Sequence, residues 1–228
     1  MMRIALLVCD HVAEPFVKTH GDYPFMFGRL LGMPLDAHFV CDNQFPDPDE
    51  YDAFVVTGSK KSVYDDEPWI QNLISFTREV AKTKKKYVGV CFGHQIIGES
   101  LGGKVTRSPE GYLIGVHEHH VSQSANWMRP ESGRYNILML CQDQIAQLPA
   151  NTIVHASSPH CPYGMISINN QFLGIQGHPE FTKAYNQDVF VSRTDRIGSE
   201  KVEAAIGSLE KEVDGEMLAG WIRNFLGG

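Results

Sequence analysis

The chain has 228 residues, of which 43% are hydrophobic and 21% are charged, and its formal net charge at pH 7 is −7. This composition is typical of a globular protein with a sizeable core, and it argues against long disordered segments. The acidic balance disfavours nucleic-acid binding, because the phosphate backbone demands a basic surface. We expect one domain that covers residues 1–228.

The N-terminal part of the chain alternates short apolar runs with segments of helical periodicity. The runs at 3–9, 36–41, 53–57 and 87–91 are rich in Val, Ile and Phe, as buried parallel strands are. Helices are predicted over 25–31, with Asp22 as the N-cap, and over 68–82. This alternation predicts an α/β fold, a doubly wound and mostly parallel sheet flanked by helices.

The first apolar run and the cysteines indicate the cellular compartment. The run is stopped by Asp10 and is too short for a signal peptide or a membrane span. The five cysteines are an odd number without regular spacing, and a chain of this length does not need disulfides. We therefore expect a cytoplasmic protein that does not interact with membranes.

The fourth predicted strand leads directly into a cysteine flanked by glycines. Residues 87–95 read YVGVCFGHQ, and a helix is predicted over 94–101. Gly89 and Gly93 leave room for a sharp turn from strand to helix, which places the sulfur of Cys91 near the helix N-terminus. A thiol at such a position ionises more easily. The segment therefore predicts a nucleophile elbow, with His94 in a structural role behind the turn.

After Gly103 the pattern changes to short strands and turns. Strands are predicted over 113–121, 135–140, 152–156, 164–168 and 172–176, and these extend the sheet with antiparallel pieces. The segment 199–226 predicts one or two closing helices with a break at Gly215.

The last predicted strand is followed by a histidine and a glutamate that are separated by proline. Residues 174–180 read GIQGHPE. Proline favours an extended backbone at His178, and in an extended segment residues two apart project to the same side. Glu180 can therefore orient the imidazole that deprotonates Cys91. Together the three side chains predict a nucleophilic catalytic triad.

These motifs resemble those of the class I, or triad, glutamine amidotransferases. The matching segments are GVCFGHQ at 89–95, LGG at 101–103, QGHPE at 176–180 and TGS at 57–59. The resemblance implies a flavodoxin-like fold and cleavage of the γ-amide of glutamine through a γ-glutamyl thioester on Cys91. It also implies an oxyanion hole built from the N–H groups of Gly58 and Phe92, and glutamine contacts from Gln95 and Ser59. No metal or organic cofactor is implied, because the nucleophile belongs to the chain.

The resemblance leaves several functions open. Family members usually pass ammonia to a synthase, so a separate synthase subunit is one partner to expect. Free-standing relatives resemble γ-glutamyl peptidases, which act on other γ-glutamyl compounds with the same chemistry. A catalytically silent binding module is a further alternative. Another cysteine-elbow superfamily fits less well, because there a histidine commonly follows the cysteine, whereas Phe92 follows it here.

Two further motifs suggest a metal site and an element for substrate or partner contact. His117, Glu118, His119 and His120 suggest a metal site, but alternation along a strand lets at most two of these side chains converge, so a half-exposed strand is the better interpretation. Many amidotransferase relatives carry a His-x-Asp element where this chain has Cys141 before Asp143. Any role of that element in substrate or partner contact is therefore in doubt.

Overall fold

The computed structural model describes residues 2–227. Within them, a nine-stranded sheet has the order β2-β1-β3-β4-β11-β10-β9-β6-β7, and β5 pairs with β8 in a separate two-stranded sheet. The strands are β1 (Ile4–Leu7), β2 (Asp36–His38), β3 (Ala53–Val56), β4 (Lys86–Val90), β5 (Lys104–Arg107), β6 (Leu113–Val121), β7 (Arg134–Cys141), β8 (Asp143–Gln147), β9 (Thr152–Ser158), β10 (Cys161–Ile168) and β11 (Phe172–Ile175).

Five strands of the large sheet are parallel and the remainder are antiparallel. β2, β1, β3, β4 and β11 run in the same direction, whereas β10, β9, β6 and β7 continue the sheet by antiparallel pairing. The predicted fold class, a mostly parallel sheet with an antiparallel extension, is confirmed.

Helices cover both faces of the sheet, as a doubly wound fold requires. They are α1 (Glu14–His20), α2 (Tyr23–Leu31), α3 (Pro68–Ala81), α4 (Phe92–Ser100), α5 (Lys183–Ser192), α6 (Thr194–Ile197), α7 (Ser199–Ser208) and α8 (Gly215–Leu226). One core packs the apolar sides of α2, α5, α7 and α8 against the sheet, and the other packs α3 and α4 against its opposite face. Across residues 2–227, none of these helices combines the length and the hydrophobicity that crossing a lipid bilayer requires.

Local sequence signals explain where several helices begin and end. The Asp22 carboxylate accepts a hydrogen bond from the backbone N–H of Tyr23, so the predicted N-cap of α2 is confirmed. α3 has proline at its first position, where the missing N–H costs nothing, and it buries Trp69, Leu73 and Val80 at helical spacing.

The structure corrects the predicted elements in several places. The strand predicted over 36–41 ends at His38, and a 3₁₀ turn over Val40–Asp42 follows. The break that was predicted at Gly215 lies over 209–214 instead, and Gly215 is the first residue of α8. The sequence analysis also missed α1, α5, α6, β5 and β8. The helix α5 has almost no segregation of apolar and polar residues to separate faces, so periodicity gave little signal there.

Candidate active site

Cys91 lies in a strained turn between β4 and α4. Its backbone φ is 52° and its ψ is −100°, a conformation that residues with side chains rarely adopt. The two flanking glycines allow the turn. A Cβ on Gly89 would lie 2.3 Å from the backbone carbonyl of Gly93, and a Cβ on Gly93 would lie 2.6 Å from the carbonyl oxygen of Val56. The predicted elbow geometry is present, with the cysteine at the N-terminus of a helix.

Parallel pairing brings the two distant motifs together. β11 pairs with β4 so that Ile175 lies opposite Val90, and the N–H of Cys91 donates a 2.8 Å hydrogen bond to the carbonyl oxygen of Ile175. The residues that follow Ile175 therefore leave the sheet beside Cys91, at the carboxyl ends of the strands, where ligands of such sheets bind. This register places His178 near the cysteine although 86 positions separate them in the sequence.

His178 and Glu180 form a buried hydrogen-bonded pair. The distance between His178 Nδ1 and Glu180 Oε1 is 2.8 Å, and the exposed fractions of the two residues are 3% and 1%. The imidazole also stacks on the ring of Phe181, with centroids 4.1 Å apart. Among residues 2–227, His178 Nε2 has no hydrogen-bond partner. The glutamate and the phenylalanine thus fix the ring and leave Nε2 available.

The surroundings of His178 favour its protonated form. Burial lowers the pKa of His178, but the facing sulfur of Cys91 and the carboxylate of Glu180 raise it by more, and the net pKa is about 10. The imidazole therefore holds the proton that the Cys91 thiol gives up when the sulfur ionises.

Gly58 lies against both Cys91 and His178. A Cβ at Gly58 would be 2.9 Å from Cε1 of His178 and 3.7 Å from Cβ of Cys91. In the part of the chain that the structure describes, the backbone N–H groups of Gly58 and Phe92 donate no hydrogen bond. Two unpaired donors therefore lie beside the elbow, one at the end of β3 and one at the start of α4.

The other predicted site residues lie in the same region. Gln95 is buried, and its side-chain amide donates hydrogen bonds to the carbonyl oxygen of Asp143 at 2.7 Å and to Oε1 of Gln176 at 3.4 Å. Ser59 follows Gly58, and its Oγ accepts a hydrogen bond from the N–H of Lys61 at 3.1 Å. The sequence analysis assigned no role to Gln176, whose Nε2 donates to Sγ of Cys91 at 3.6 Å.

Two cavities open at this edge of the sheet. We call the first the Cys91 cavity; it has a volume of about 60 Å³, and its lining includes Ser59, Cys91, Gln95, Cys141, Asp143 and Arg196. We call the second the His178 cavity; it has a volume of about 120 Å³, and its lining includes Phe16, Tyr23, His178, Phe181, Tyr185 and Val189. Ser59, Lys60, Leu140 and Arg193 line both cavities.

Residues 34–194 match the family model described as glutamine amidotransferase class-I. The chain belongs to the class I glutamine amidotransferase family. Gamma-glutamyl peptidase 3 of Arabidopsis thaliana is 34% identical over 207 residues, which cover 86% of this chain and 82% of that protein. Gamma-glutamyl peptidase 2 of the same plant is 32% identical over 246 aligned positions, covering 99% of this chain and 96% of that protein.

The fold agrees with the family assignment. The crystal structure of a glutamine amidotransferase from Thermotoga maritima superposes with a TM-score of 0.78 at 19% sequence identity, covering 99% of this chain and 97% of the other. This similarity confirms the predicted flavodoxin-like amidotransferase architecture.

Cys141 is a buried thiol beside the candidate site. It lines the Cys91 cavity. Burial raises the pKa of Cys141 well above its usual value, and the nearby Cys91 and Cys161 raise it further. Cys141 is therefore a neutral thiol at neutral pH and a poor nucleophile compared with a thiolate.

His94 is fully buried behind the elbow of this amidotransferase fold. Its ring packs against Gly174, where a Cβ would lie 2.5 Å from Nδ1. Burial lowers the pKa of His94 to about 3, so the ring is neutral at neutral pH. Its place on the side of the turn away from the cavities agrees with the structural role expected from the sequence.

The HEHH segment does not gather its side chains around one point. His119 is buried and stacks on Tyr135 with centroids 5.3 Å apart, while Nε2 of His117 bonds to the carbonyl oxygen of Ile114 at 2.9 Å. Within residues 2–227, three potential metal ligands within 4.8 Å of one another are found instead at His11, Cys41 and Asp42. Two loops bring these residues together, so no local motif indicates them.

Proposed function

We propose that the protein hydrolyses γ-glutamyl amide bonds with Cys91 as the nucleophile, and that residues 1–228 act as one domain. The proposal is carried by one observation: Cys91, at a strained elbow, meets a histidine held by a buried glutamate. It is supported by membership of an amidotransferase family of hydrolases and by the similarity to two γ-glutamyl peptidases of Arabidopsis thaliana.

The first half of the reaction forms a thioester. The Cys91 sulfur, which has given its proton to His178 Nε2, attacks the γ-carbonyl carbon as the thiolate. A sulfur–carbon bond forms as the carbonyl electron pair moves onto oxygen. When this pair returns, the carbon–nitrogen bond breaks and His178 gives its proton to the leaving nitrogen. The products are a γ-glutamyl thioester on Cys91 and a free amine, or ammonia when the substrate is glutamine.

The second half regenerates the enzyme. His178 removes a proton from water, the resulting hydroxide attacks the thioester carbon, and the sulfur leaves and recovers its proton from the imidazolium. Glutamate is released. Glu180 keeps the imidazole in the tautomer that bears its proton on Nδ1 and stabilises the imidazolium during both halves.

Backbone donors are proposed to stabilise the oxyanion of each half. The N–H groups of Gly58 and Phe92 flank Cys91 and have no other acceptor among residues 2–227. Fixed donors at such a position contribute without reorganisation during the reaction. Gln95 and Ser59 line the Cys91 cavity, and we propose that they contact the γ-glutamyl group there.

A second candidate function is a glutaminase that supplies ammonia to a separate acceptor enzyme. The match to the glutamine amidotransferase model favours this candidate. The thioester chemistry is the same for both candidates. They differ in the leaving group. A partner synthase would be needed for the ammonia, whereas a γ-glutamyl hydrolase acts alone.

The test compares two substrates and one variant. Ammonia release from glutamine and amine release from a γ-glutamyl peptide are measured for the wild type and Cys91→Ala, together with intact mass after treatment with 6-diazo-5-oxo-norleucine. Amine release and a single label, both lost in the variant, are the expected result. Release of ammonia alone favours the second candidate. Absence of turnover and labelling in the wild type contradicts both enzymatic functions and favours a silent binding module.

A further inference from the structure

The two cavities lie on either side of the proposed reaction. Cys91 faces one of them and His178 faces the other, while Ser59, Lys60 and Leu140 line both. In the proposed mechanism the γ-glutamyl group remains on the sulfur of Cys91, whereas the leaving amine takes its proton from His178. The leaving group therefore departs on the His178 side, and the His178 cavity is the space that it enters.

The His178 cavity is much larger than ammonia requires. A molecule of the size of water needs about 10–15 Å³ of such volume. The cavity has about 120 Å³, roughly ten times that amount. Its size fits a leaving group of several heavy atoms, such as an amino acid.

Half of the residues that line the cavity are apolar or aromatic, and the other half are polar or charged. Phe16, Phe181 and Val189 contribute hydrocarbon surface, and Tyr23 and Tyr185 contribute phenol rings. Burial raises the pKa of Tyr185 to about 12 and raises the pKa of Tyr23 well above its usual value, so both rings are neutral at neutral pH. The apolar and aromatic half of the lining favours a side chain that gains from leaving water.

A cation at the boundary of the cavity gives the site a second selectivity. Arg193 is half-buried and lines both cavities, and its guanidinium has no ion-pair partner within residues 2–227. The neighbouring Lys60, in contrast, is already paired with Asp10 at 2.8 Å. An unpaired guanidinium at this place suits a carboxylate, which it can bind with two parallel hydrogen bonds.

We propose that the protein releases from γ-glutamyl dipeptides an amino acid with a bulky apolar or aromatic side chain and a free carboxylate. The His178 cavity holds the side chain, and Arg193 binds the carboxylate. This inference rests on the proposed γ-glutamyl hydrolase function and specifies its leaving group.

The first test uses the wild type and four substrates: γ-Glu-Phe, γ-Glu-Gly, γ-Glu-Phe amide and glutamine. We expect kcat/KM for γ-Glu-Phe to exceed that for γ-Glu-Gly by at least about tenfold, because a benzyl group is removed from water. The amide, which lacks the carboxylate, should be slower than γ-Glu-Phe by about tenfold. Glutamine should be the poorest of the four.

Variants then locate the selectivity. Ala13 is exposed, lines the cavity and is the residue before α1, with φ −56° and ψ 136°, so a larger side chain fits its backbone. Ala13→Phe should lower kcat/KM for γ-Glu-Phe by a larger factor than it lowers kcat/KM for γ-Glu-Gly. Val17→Phe, on the exposed part of α1 outside the cavity lining, is the matched control. Arg193→Gln should slow γ-Glu-Phe but not its amide, and Arg193→Lys should restore part of the rate.

The outcomes separate this inference from the proposed function. If γ-Glu-Phe, γ-Glu-Gly and glutamine are hydrolysed equally well by a Cys91-dependent reaction, the leaving-group inference is wrong while the hydrolase function stands. If no γ-glutamyl compound is hydrolysed, both are wrong. An Arg193→Gln variant that slows the amide as much as the free acid overturns the carboxylate assignment.

Discussion

Gly58→Ala tests the position of His178 while it keeps the three side chains of the proposed triad and the backbone N–H of residue 58. In Gly58→Ala, the new Cβ would lie 2.9 Å from Cε1 of His178, closer than nonbonded carbon atoms approach. The imidazole cannot move aside freely, because Glu180 holds it through a 2.8 Å hydrogen bond and Phe181 stacks on it. A displacement of roughly 0.5 Å therefore weakens this buried hydrogen bond, at a cost of about 1–3 kcal/mol.

This cost should appear in turnover. A loss of about 1.4–2.8 kcal/mol in transition-state stabilisation lowers kcat by about tenfold to a hundredfold. The free energy of unfolding should fall by about the same 1–3 kcal/mol, because the weakened hydrogen bond also belongs to the folded state, and by no more than that, because Gly58 does not require a positive φ. The assay is kcat on a γ-glutamyl dipeptide, with urea unfolding in parallel.

A control variant and a clear refutation accompany this experiment. Gly28 lies in α2, and a Cβ there would have no atom within 4 Å, so Gly28→Ala should leave kcat unchanged. If Gly58→Ala is folded and has the kcat of the wild type, then the position of His178 against Gly58 does not govern catalysis, and the proposed role of His178 fails.

Three further predictions follow from the same geometry. Cys91→Ala should abolish turnover, and Glu180→Ala should reduce kcat less than His178→Ala does, because the glutamate orients the base but does not transfer protons; steady-state kinetics measures this order. His94 should lower the free energy of unfolding by about 2 kcal/mol at pH 5 relative to pH 8. The unfolded chain binds a proton at this histidine at pH 5, whereas the folded state, in which the pKa of His94 is lowered to about 3, does not. Urea unfolding of the wild type and His94→Gln at both pH values isolates this contribution. Gly89→Ala should destabilise the fold by at least about 3 kcal/mol, because its Cβ would lie 2.3 Å from backbone atoms at the start of α4; thermal unfolding or the yield of folded protein measures it.

Each of these predictions has an outcome that contradicts it. A Cys91→Ala variant as active as the wild type would end the thioester mechanism, and a Glu180→Ala variant slower than His178→Ala would reverse the assigned roles. If His94→Gln loses as much stability between pH 8 and pH 5 as the wild type, His94 is not the titrating group. A stable Gly89→Ala variant would show that the elbow can relax away from the helix.

The pKa values of His178 and His94 make the stability of the folded protein depend on pH. Because the folded protein raises this pKa, protonated His178 contributes stability that is fully present below about pH 6.5 and is lost as the pH rises towards about 10. His94 acts in the opposite direction and favours the folded state above about pH 6.5. Through these two groups, acid should weaken the protein at one histidine and base should weaken it at the other.

Local sequence signals were sufficient for the elements that carry the chemistry. The apolar run before Cys91 and its flanking glycines predicted the turn from β4 to α4, because a tight turn next to a close strand–helix contact requires residues without side chains. The spacing of His178 and Glu180 predicted that the two side chains would interact. The strand predicted over 113–121 has the same bounds in the structure.

Other features depended on contacts between residues that are distant in the sequence. The register of β11 against β4 decides that His178 lies beside Cys91. Both strands are buried and almost continuously apolar, so residue type does not indicate which residues pair. The His178 cavity is assembled from α1, α2, α5 and the loops after β1 and β11. Neither α1 nor α5 was predicted, so the residues that shape this cavity could not be collected from the sequence. The sequence by itself thus predicted the elbow and the candidate groups of the site, because these rest on local spacing, and it indicated the family through the resemblance of its motifs. Only the tertiary structure decided the size and the lining of the His178 cavity, because a cavity exists only where separate elements pack.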